Sequence, residues 1–210
     1  MTAGSALRAS AVIDLATMAA NLRTVRDRCS SGDVMVVVKA DAYGHGMVPV
    51  ARYLRGCGVA WLGLALPSEA LALRAAGDEG RLLAWLWTPG DTDVSTCIDQ
   101  GIDLSVSSDW ALREIVQAAQ QVRRTARIHL KADTGLTRNG VPWEQWHDLV
   151  REARMAEQAG DVEVVGIWSH LADGEVTGSA SVAEQRQAFQ RALEAAEHSG
   201  SLITARLAGE

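Results

Sequence analysis

The sequence predicts an α/β fold, specifically a (β/α)8 TIM-type barrel in which about seven barrel strands are present. Two observations support this prediction. Short apolar segments alternate with amphipathic helical segments along most of the chain, which is typical of parallel strands joined by right-handed crossovers. Several reactive side chains also fall at or just after the carboxyl ends of predicted strands, where barrels carry their sites.

The predicted barrel strands begin at residue 34 and recur about every 25 residues, against roughly 250 residues for eight complete units. They cover residues 34–38, 60–64, 82–87, 102–106, 126–131, 162–168 and 202–207. A further short strand is predicted over residues 10–14. A doubly wound sheet is the alternative, but no G-x-G-x-x-G fingerprint follows the first strands. We therefore expect a barrel that stops one strand short of closure.

Helical segments fill the gaps between these strands. Apolar residues at helical spacing predict a helix over residues 15–29. Proline at the start and glycine at the end predict helices over residues 67–77 and 142–159. No interior linker divides the chain, so residues 1–210 are predicted to form one partial barrel domain.

Composition excludes several classes of function. With 48% hydrophobic residues in 210, the chain has material for one sizeable core. A net charge of -6 without any basic block argues against nucleic acid as a partner. No stretch approaches the ~18 apolar residues of a membrane span, and no export signal is evident. The histidines show no ligand spacing, so no metal is predicted.

The cysteines indicate the compartment. Cys29, Cys57 and Cys97 are an odd, widely spaced set without a C-x-x-C pair. Neither a disulfide framework nor a zinc site is suggested by this spacing. We therefore expect a reducing cytoplasm as the location.

The stretch from Val36 to Gly46 contains the densest chemistry in the sequence. A β-branched apolar run ends at Lys39 and continues into a glycine-rich corner that carries Tyr43 and His45. Only two of the 20 basic residues are lysines, and the other 18 are arginines, which cannot act as amine nucleophiles. The alternative for Lys39 is a strand-end lysine that extends to water.

Residues 38–46, Val-Lys-Ala-Asp-Ala-Tyr-Gly-His-Gly, resemble the pyridoxal-phosphate signature of alanine racemases of fold type III. The resemblance implies that Lys39 binds the cofactor covalently and is catalytic, and that Tyr43 reaches the cofactor phosphate. It also implies a homodimeric isomerase that interconverts L- and D-alanine and supplies D-alanine for the cell wall.

A second polar cluster lies on the predicted strand over residues 126–131. Arg127, His129 and Lys131 share one face of that strand, which points into the barrel if the alternate residues pack under helices. The alternative is an exposed edge strand. The segment resembles the family stretch in which an arginine contacts the cofactor's phenolic oxygen, which implies that role for Arg138. The family often has a carbamylated lysine seven residues earlier, where Lys131 stands.

Two further cofactor contacts come from the same resemblance. His170 ends a predicted strand in a segment similar to the one whose histidine lies against the pyridine ring. Judged alone, such a histidine is equally suited to a structural hydrogen bond. Trp85 stands near the position of an aliphatic cofactor contact in the family. Core packing is expected for one of Trp85 and Trp87.

The resemblance stops after the seventh predicted strand. The family has an Asn-Ser pair at the phosphate there, whereas residues 204–210 lack it. The last barrel strand and the carboxy-terminal β domain, with the tyrosine that serves as second base, are also unmatched. We therefore expect a barrel fragment that is inactive alone. The alternative is a non-catalytic pyridoxal-phosphate carrier. Open strand edges at residues 34–38 and 202–207 predict self-association.

Overall fold

The structure, a computed structural model, describes residues 9–29 and 33–198, together with the backbone of residues 205–208. Its sheet contains seven parallel strands that pair in chain order. They are Met35–Val37 (β1), Trp61–Leu64 (β2), Arg81–Ala84 (β3), Asp103–Val106 (β4), Ala126–Lys131 (β5), Val162–Ser169 (β6) and Ala205–Ala208 (β7). A doubly wound sheet reverses its strand order at a switch point, and this sheet does not. The prediction of an incomplete TIM-type barrel is confirmed.

Eight helical segments accompany the strands in the described part of the chain. They are Leu15–Arg28 (α1), Lys39–Gly44 (α2), Met47–Gly56 (α3), Pro67–Ala75 (α4), Asp93–Asp99 (α5), Asp109–Val122 (α6), Trp143–Ala159 (α7) and Ala180–His198 (α8). The three helices predicted by bounds are confirmed to within two residues. α7 ends as predicted, because Gly160 has a φ of 84° that favours glycine.

The outer face of the sheet packs against the helices. Leu62, Leu82, Leu104, Ile128 and Ile167 have no exposed surface and lie in one apolar cluster. The helices contribute Leu22, Val50, Ala70, Val94, Ile115, Leu149 and Leu193 to the same cluster. Complete burial of a leucine or isoleucine stabilises the fold by roughly 1.5–3 kcal/mol per residue. This face therefore supplies most of the apolar core.

The inner face of the sheet closes around a partly polar interior. Trp61 on β2 packs its ring against His129 on β5, with ring centroids 5.3 Å apart. These strands are not neighbours in the sheet, so the contact crosses the interior. Asp103 accepts hydrogen bonds from Arg127 Nε at 2.9 Å and pairs with His129 Nε2 at 3.0 Å. The buried carboxylate is thus neutralised by groups from the adjacent strand.

β5 settles one of the alternatives left by the sequence. It pairs with β4 on one side and β6 on the other, so an exposed edge strand is wrong. Ile128 and Leu130 are buried toward the helices, and His129 and Lys131 are buried on the opposite face. The interpretation that this strand's polar face points into the barrel is confirmed.

Some strand predictions need correction. Residues 10–14 form no strand; Val12 is 87% exposed, and Asp14 instead caps α1 by accepting from Ala16 N at 2.9 Å and Thr17 N at 3.1 Å. The strand predicted over residues 82–87 ends at Ala84, because the apolar run continues after the chain has left the ladder. Residues 202–204 of the last predicted strand lie outside the described residues.

Candidate active site

Lys39 lies at the carboxyl end of β1, at the start of an unusual turn. Residues 40–43 of α2 all have φ between 51° and 55°, so the turn is left-handed. This conformation costs an L-residue roughly 1–2 kcal/mol. The side chain of Asp41 helps to close the turn by accepting from Met47 N at 2.6 Å. The turn brings Lys39 Nζ to 5.7 Å from the ring centroid of Tyr43, which is half exposed.

Trp85 forms the other side of the Lys39 environment. Lys39 Nζ lies 5.8 Å from the Trp85 ring centroid, and the Trp85 and Trp168 rings are 5.9 Å apart. A Cβ added at Gly63 on β2 would lie 2.8 Å from Trp85 Cζ3, so the ring occupies space that only glycine leaves. Of Trp85 and Trp87, Trp87 is buried in the core, and Trp85 is partly exposed at the site.

Lys131 ends β5 in a buried position. Its Nζ lies 4.4 Å from the Trp168 ring centroid, and 5% of the residue surface is exposed. Burial and, to a smaller extent, the positive charge of Arg138 together lower the pKa of Lys131 to about 8, against a smaller opposing effect of Asp133. The amine is therefore mostly protonated at pH 7, but its neutral fraction, about a tenth, is far larger than that of an ordinary lysine.

Arg138 and His170 form a direct pair at the rim. Arg138 Nη2 donates to His170 Nε2 at 3.0 Å. Because a guanidinium can only donate, this bond requires His170 Nε2 to be unprotonated. The loop that carries Arg138 is organised by Asp133, whose Oδ1 accepts from Gly135 N and Thr137 N, both at 3.0 Å.

A buried polar network supports the loop after β6. Gln185 on α8 donates from Nε2 to the His170 carbonyl at 3.0 Å and to Thr134 Oγ1 at 3.1 Å. Its Oε1 accepts from Ala172 N at 2.8 Å. Thr134 Oγ1 and Ser169 Oγ are 2.6 Å apart. Gln185 thereby ties the segment that carries His170 to the loop that leads to Arg138.

The structure places the six predicted site residues at one end of the barrel. A run of ring and amine contacts joins Tyr43, Lys39, Trp85, Trp168 and Lys131. Arg138 and His170 form a pair at the rim. The positive charge of Arg138 also lowers the pKa of Lys131, which belongs to this run.

Sequence analysis missed two residues of the site, Trp168 and Gln185. Trp168 donates from Nε1 to Ser105 Oγ at 2.9 Å, and Gln185 anchors the His170 loop. Trp168 was detectable, because it lies two residues before His170 and shares its face of the strand. Gln185 carried no local signal, since its partners come from other elements of the fold.

In the residues that the structure describes, no three His, Cys, Asp or Glu side chains form a group suited to a metal ion. Across the same residues, no helix combines the length and apolar character needed to cross a membrane.

Comparison with known proteins identifies the family. Residues 13–208 match the family model described as alanine racemase, N-terminal domain. The chain belongs to the alanine racemase family. Alanine racemase from Beutenbergia cavernae is 45% identical over 198 residues, which cover 94% of this chain and 52% of the relative. The enzyme of the same name from Streptomyces coelicolor is 45% identical over 203 residues, with the same two coverages.

Solved structures agree with the family assignment. The crystal structure of alanine racemase from D-cycloserine-producing Streptomyces lavendulae superposes with a TM-score of 0.90 at 48% identity, covering 93% of this chain and 51% of that one. The structure of alanine racemase from Streptomyces coelicolor A3(2) superposes with a TM-score of 0.89 at 44% identity. This racemase barrel spans about half the length of the curated relatives it matches.

The residues of this racemase barrel fit pyridoxal phosphate, the cofactor of the family. Among the described residues, Lys39 forms no ion pair with a carboxylate, and its contacts are with aromatic rings. Its amine is therefore available for covalent attachment. Arg138 also has no carboxylate partner in the described part, so its remaining N–H donors are available for an anionic oxygen.

Proposed function

We propose that this chain forms the pyridoxal-phosphate-binding barrel of an alanine racemase, an isomerase that interconverts L- and D-alanine. The observation that carries the proposal is the Lys39 amine, which lies on a left-handed turn beside Trp85 and has no carboxylate partner among the described residues. The choice of alanine as the substrate rests on the two relatives named alanine racemase, which are 45% identical to this chain.

Each site residue has a proposed role. Pyridoxal phosphate, when bound, withdraws electrons from the α-carbon of an amino acid and so acidifies the α-proton. Lys39 would hold the cofactor until the substrate amine displaces it, and its freed amine would then move that proton on one face of the substrate. Arg138 would donate to the cofactor's phenolic oxygen, Tyr43 would donate to its phosphate, and His170 would pack against its ring, with Trp85 as an apolar contact.

Lys131 has a proposed supporting role, which is to hold Arg138 in place. A carbamate on its amine would change a buried cation into an anion next to Arg138, and a carboxylate-like group binds a guanidinium with two hydrogen bonds. The lowered pKa of Lys131, to about 8, favours this modification because the neutral amine is the reactive form.

Trapping the cofactor tests the proposal. Addition of pyridoxal phosphate followed by borohydride reduction should label Lys39, detected by peptide mass spectrometry. The chain has only two lysines, so the labelled peptide distinguishes the two candidate side chains from each other and from the amino-terminal amine. The Lys131→Met variant should still label at Lys39, and Lys39→Met should lose the label. A label on Lys131 with Lys39 unmodified would overturn the proposal.

We also propose that the chain associates with itself. In the described sheet, β1 and β7 each pair with one strand only, and unpaired strand edges recruit other chains. Sedimentation at micromolar concentration should therefore detect a dimer or larger species. A monodisperse monomer would contradict this proposal.

The cellular context is part of the same proposal. D-alanine formed by the complete enzyme would supply cell-wall synthesis. Cys29, Cys57 and Cys97 are free thiols, which supports a reducing cytoplasm as the compartment.

A further inference from the structure

We infer that Glu69 is a positioning residue for Lys39, because its carboxylate holds the left-handed turn α2 that carries Lys39 and Tyr43. The inference rests on the proposed function of Lys39. Glu69 lies on α4, 30 positions after Lys39 in the sequence. Its described hydrogen bonds go to backbone N–H groups and not to the Lys39 amine.

The two oxygens of Glu69 bind two different segments. Oε1 accepts from Ala40 N at 2.6 Å, and Oε2 accepts from Ala65 N and Leu66 N, both at 3.0 Å. The bonds to residues 65 and 66 cap the start of α4, as glutamate at the third helical position commonly does. The bond to Ala40 has no part in that cap, and it joins the end of β1 to the end of β2.

The location of this bond explains why it would matter for Lys39. Ala40 directly follows Lys39 and is the first residue of the left-handed run, with φ of 51°. The N–H groups at the start of a helical turn lack a partner within the turn, and the exposed Ala40 N donates to Glu69 instead of to water. Hydrogen bonds to a charged acceptor are roughly twice as strong as neutral ones. Glu69 therefore stabilises the strained conformation at the position that sets the direction of the Lys39 side chain.

A glutamine at this position separates the two functions of the carboxylate. Glu69→Gln keeps the size of the side chain but has one acceptor oxygen and one NH2 group, so it cannot accept from both segments at once. Glu157 offers a matched control. Its Oε1 accepts from Val164 N at 3.1 Å and its Oε2 from Arg154 at 2.6 Å, so it also links a helix to a strand, away from the site.

Amide exchange and cofactor binding test the inference together. In the cofactor-free chain, Glu69→Gln should accelerate hydrogen exchange at Ala40 N on the order of tenfold, and Glu157→Gln should do so at Val164 N only. The dissociation constant of pyridoxal phosphate should rise on the order of tenfold in Glu69→Gln and stay unchanged in Glu157→Gln. Unchanged exchange at Ala40, or faster exchange with unchanged affinity, would overturn the inference.

A rescue variant shows where the effect arises. Glycine adopts positive φ without strain, so Ala40→Gly in the Glu69→Gln background should restore most of the lost affinity. Failure of this rescue would assign the loss to the α4 cap and overturn the inference. The proposed function fails separately, through labelling of Lys131 in the wild-type chain, while exchange at Ala40 still reports on Glu69.

Discussion

The two lysines lie at the same end of the barrel in different surroundings. Lys39 is partly exposed against two aromatic rings, whereas Lys131 is buried under Trp168 and near the charge of Arg138. The sequence identified both residues through the scarcity of lysine, and the alternation along β5 directed Lys131 into the barrel, but it did not give the difference in burial between the two amines. That difference depends on the ring of Trp168, which only the folded barrel brings over the Lys131 amine.

The Lys131 environment predicts a pH dependence of stability. Its pKa is lowered from 10.5 to about 8, so folded and unfolded chains both hold the proton below about pH 8, and the full cost of the buried cation is present there. Between about pH 8 and 10.5 the unfolded chain binds more protons, so the Lys131 contribution to the free energy of unfolding rises with pH. Lys131→Met removes this contribution and should be more stable near pH 7 by on the order of 2–3 kcal/mol.

Urea unfolding of both proteins in CO2-free buffer, at several pH values across this window, measures the difference. The pKa of Cys97, raised by burial to about 12, changes stability in the opposite direction at higher pH, but it is common to both proteins and cancels in the comparison. Parallel stability curves for wild type and Lys131→Met would contradict the prediction.

At the scale of elements, periodicity located the strands and some helices but not their irregular connections. Apolar runs mark where strands lie because the outer face must be buried, yet such runs do not show where the ladder ends, as residues 85–87 demonstrate. The left-handed turn had a partial signal in Gly44 and Gly46. Its four non-glycine residues, Ala40 to Tyr43, gave none, because Glu69 and Asp41 hold them through tertiary contacts.

The contact between β2 and the segment after β3 gives a prediction at this scale. Gly63→Ala places a methyl group 2.8 Å from Trp85 Cζ3 and 3.1 Å from Met35 Sδ. The overpacking should destabilise the chain by about 1–3 kcal/mol and displace the Trp85 ring from Lys39. Chemical denaturation and pyridoxal-phosphate titration measure the two effects.

Gly56→Ala is the matched control, because a Cβ there meets nothing within 4 Å. It should leave cofactor affinity unchanged and alter stability by less than about 1 kcal/mol. Equal affinities for wild type and Gly63→Ala would show that the position of the Trp85 ring is unimportant for the cofactor.

At the scale of the whole molecule, the barrel separates two functions between the faces of one sheet. The outer face is apolar and buried under helices, and the inner face carries Asp103, Arg127, His129 and Lys131 in successive layers toward the site. The alternation along β5 made this separation predictable from sequence. The partners that balance each charge were not predictable, since Asp103 belongs to a different strand.

The 210-residue polypeptide, assayed alone, contains one proposed base for the α-proton, Lys39. Racemisation needs proton removal on one face of the α-carbon and delivery on the other. The sequence has two tyrosines: Tyr43 is beside Lys39, and Tyr53 lies on α3, the next helix. With Lys39 as the one base proposed among the described residues, we expect exchange of the α-proton of L-alanine in D2O without inversion.

NMR of L-alanine incubated with the polypeptide and pyridoxal phosphate in D2O follows exchange, and a chiral assay follows inversion. Lys39→Ala gives the background from free cofactor, and the wild-type chain should exceed it in exchange only. Saturable cofactor binding without exchange above that background would instead indicate a non-catalytic carrier. D-alanine formed at rates typical of enzymes, on the order of 1 to 10³ per second, would mean that a second base acts within these 210 residues, because a missing acid or base typically lowers the rate ~10²- to 10⁴-fold.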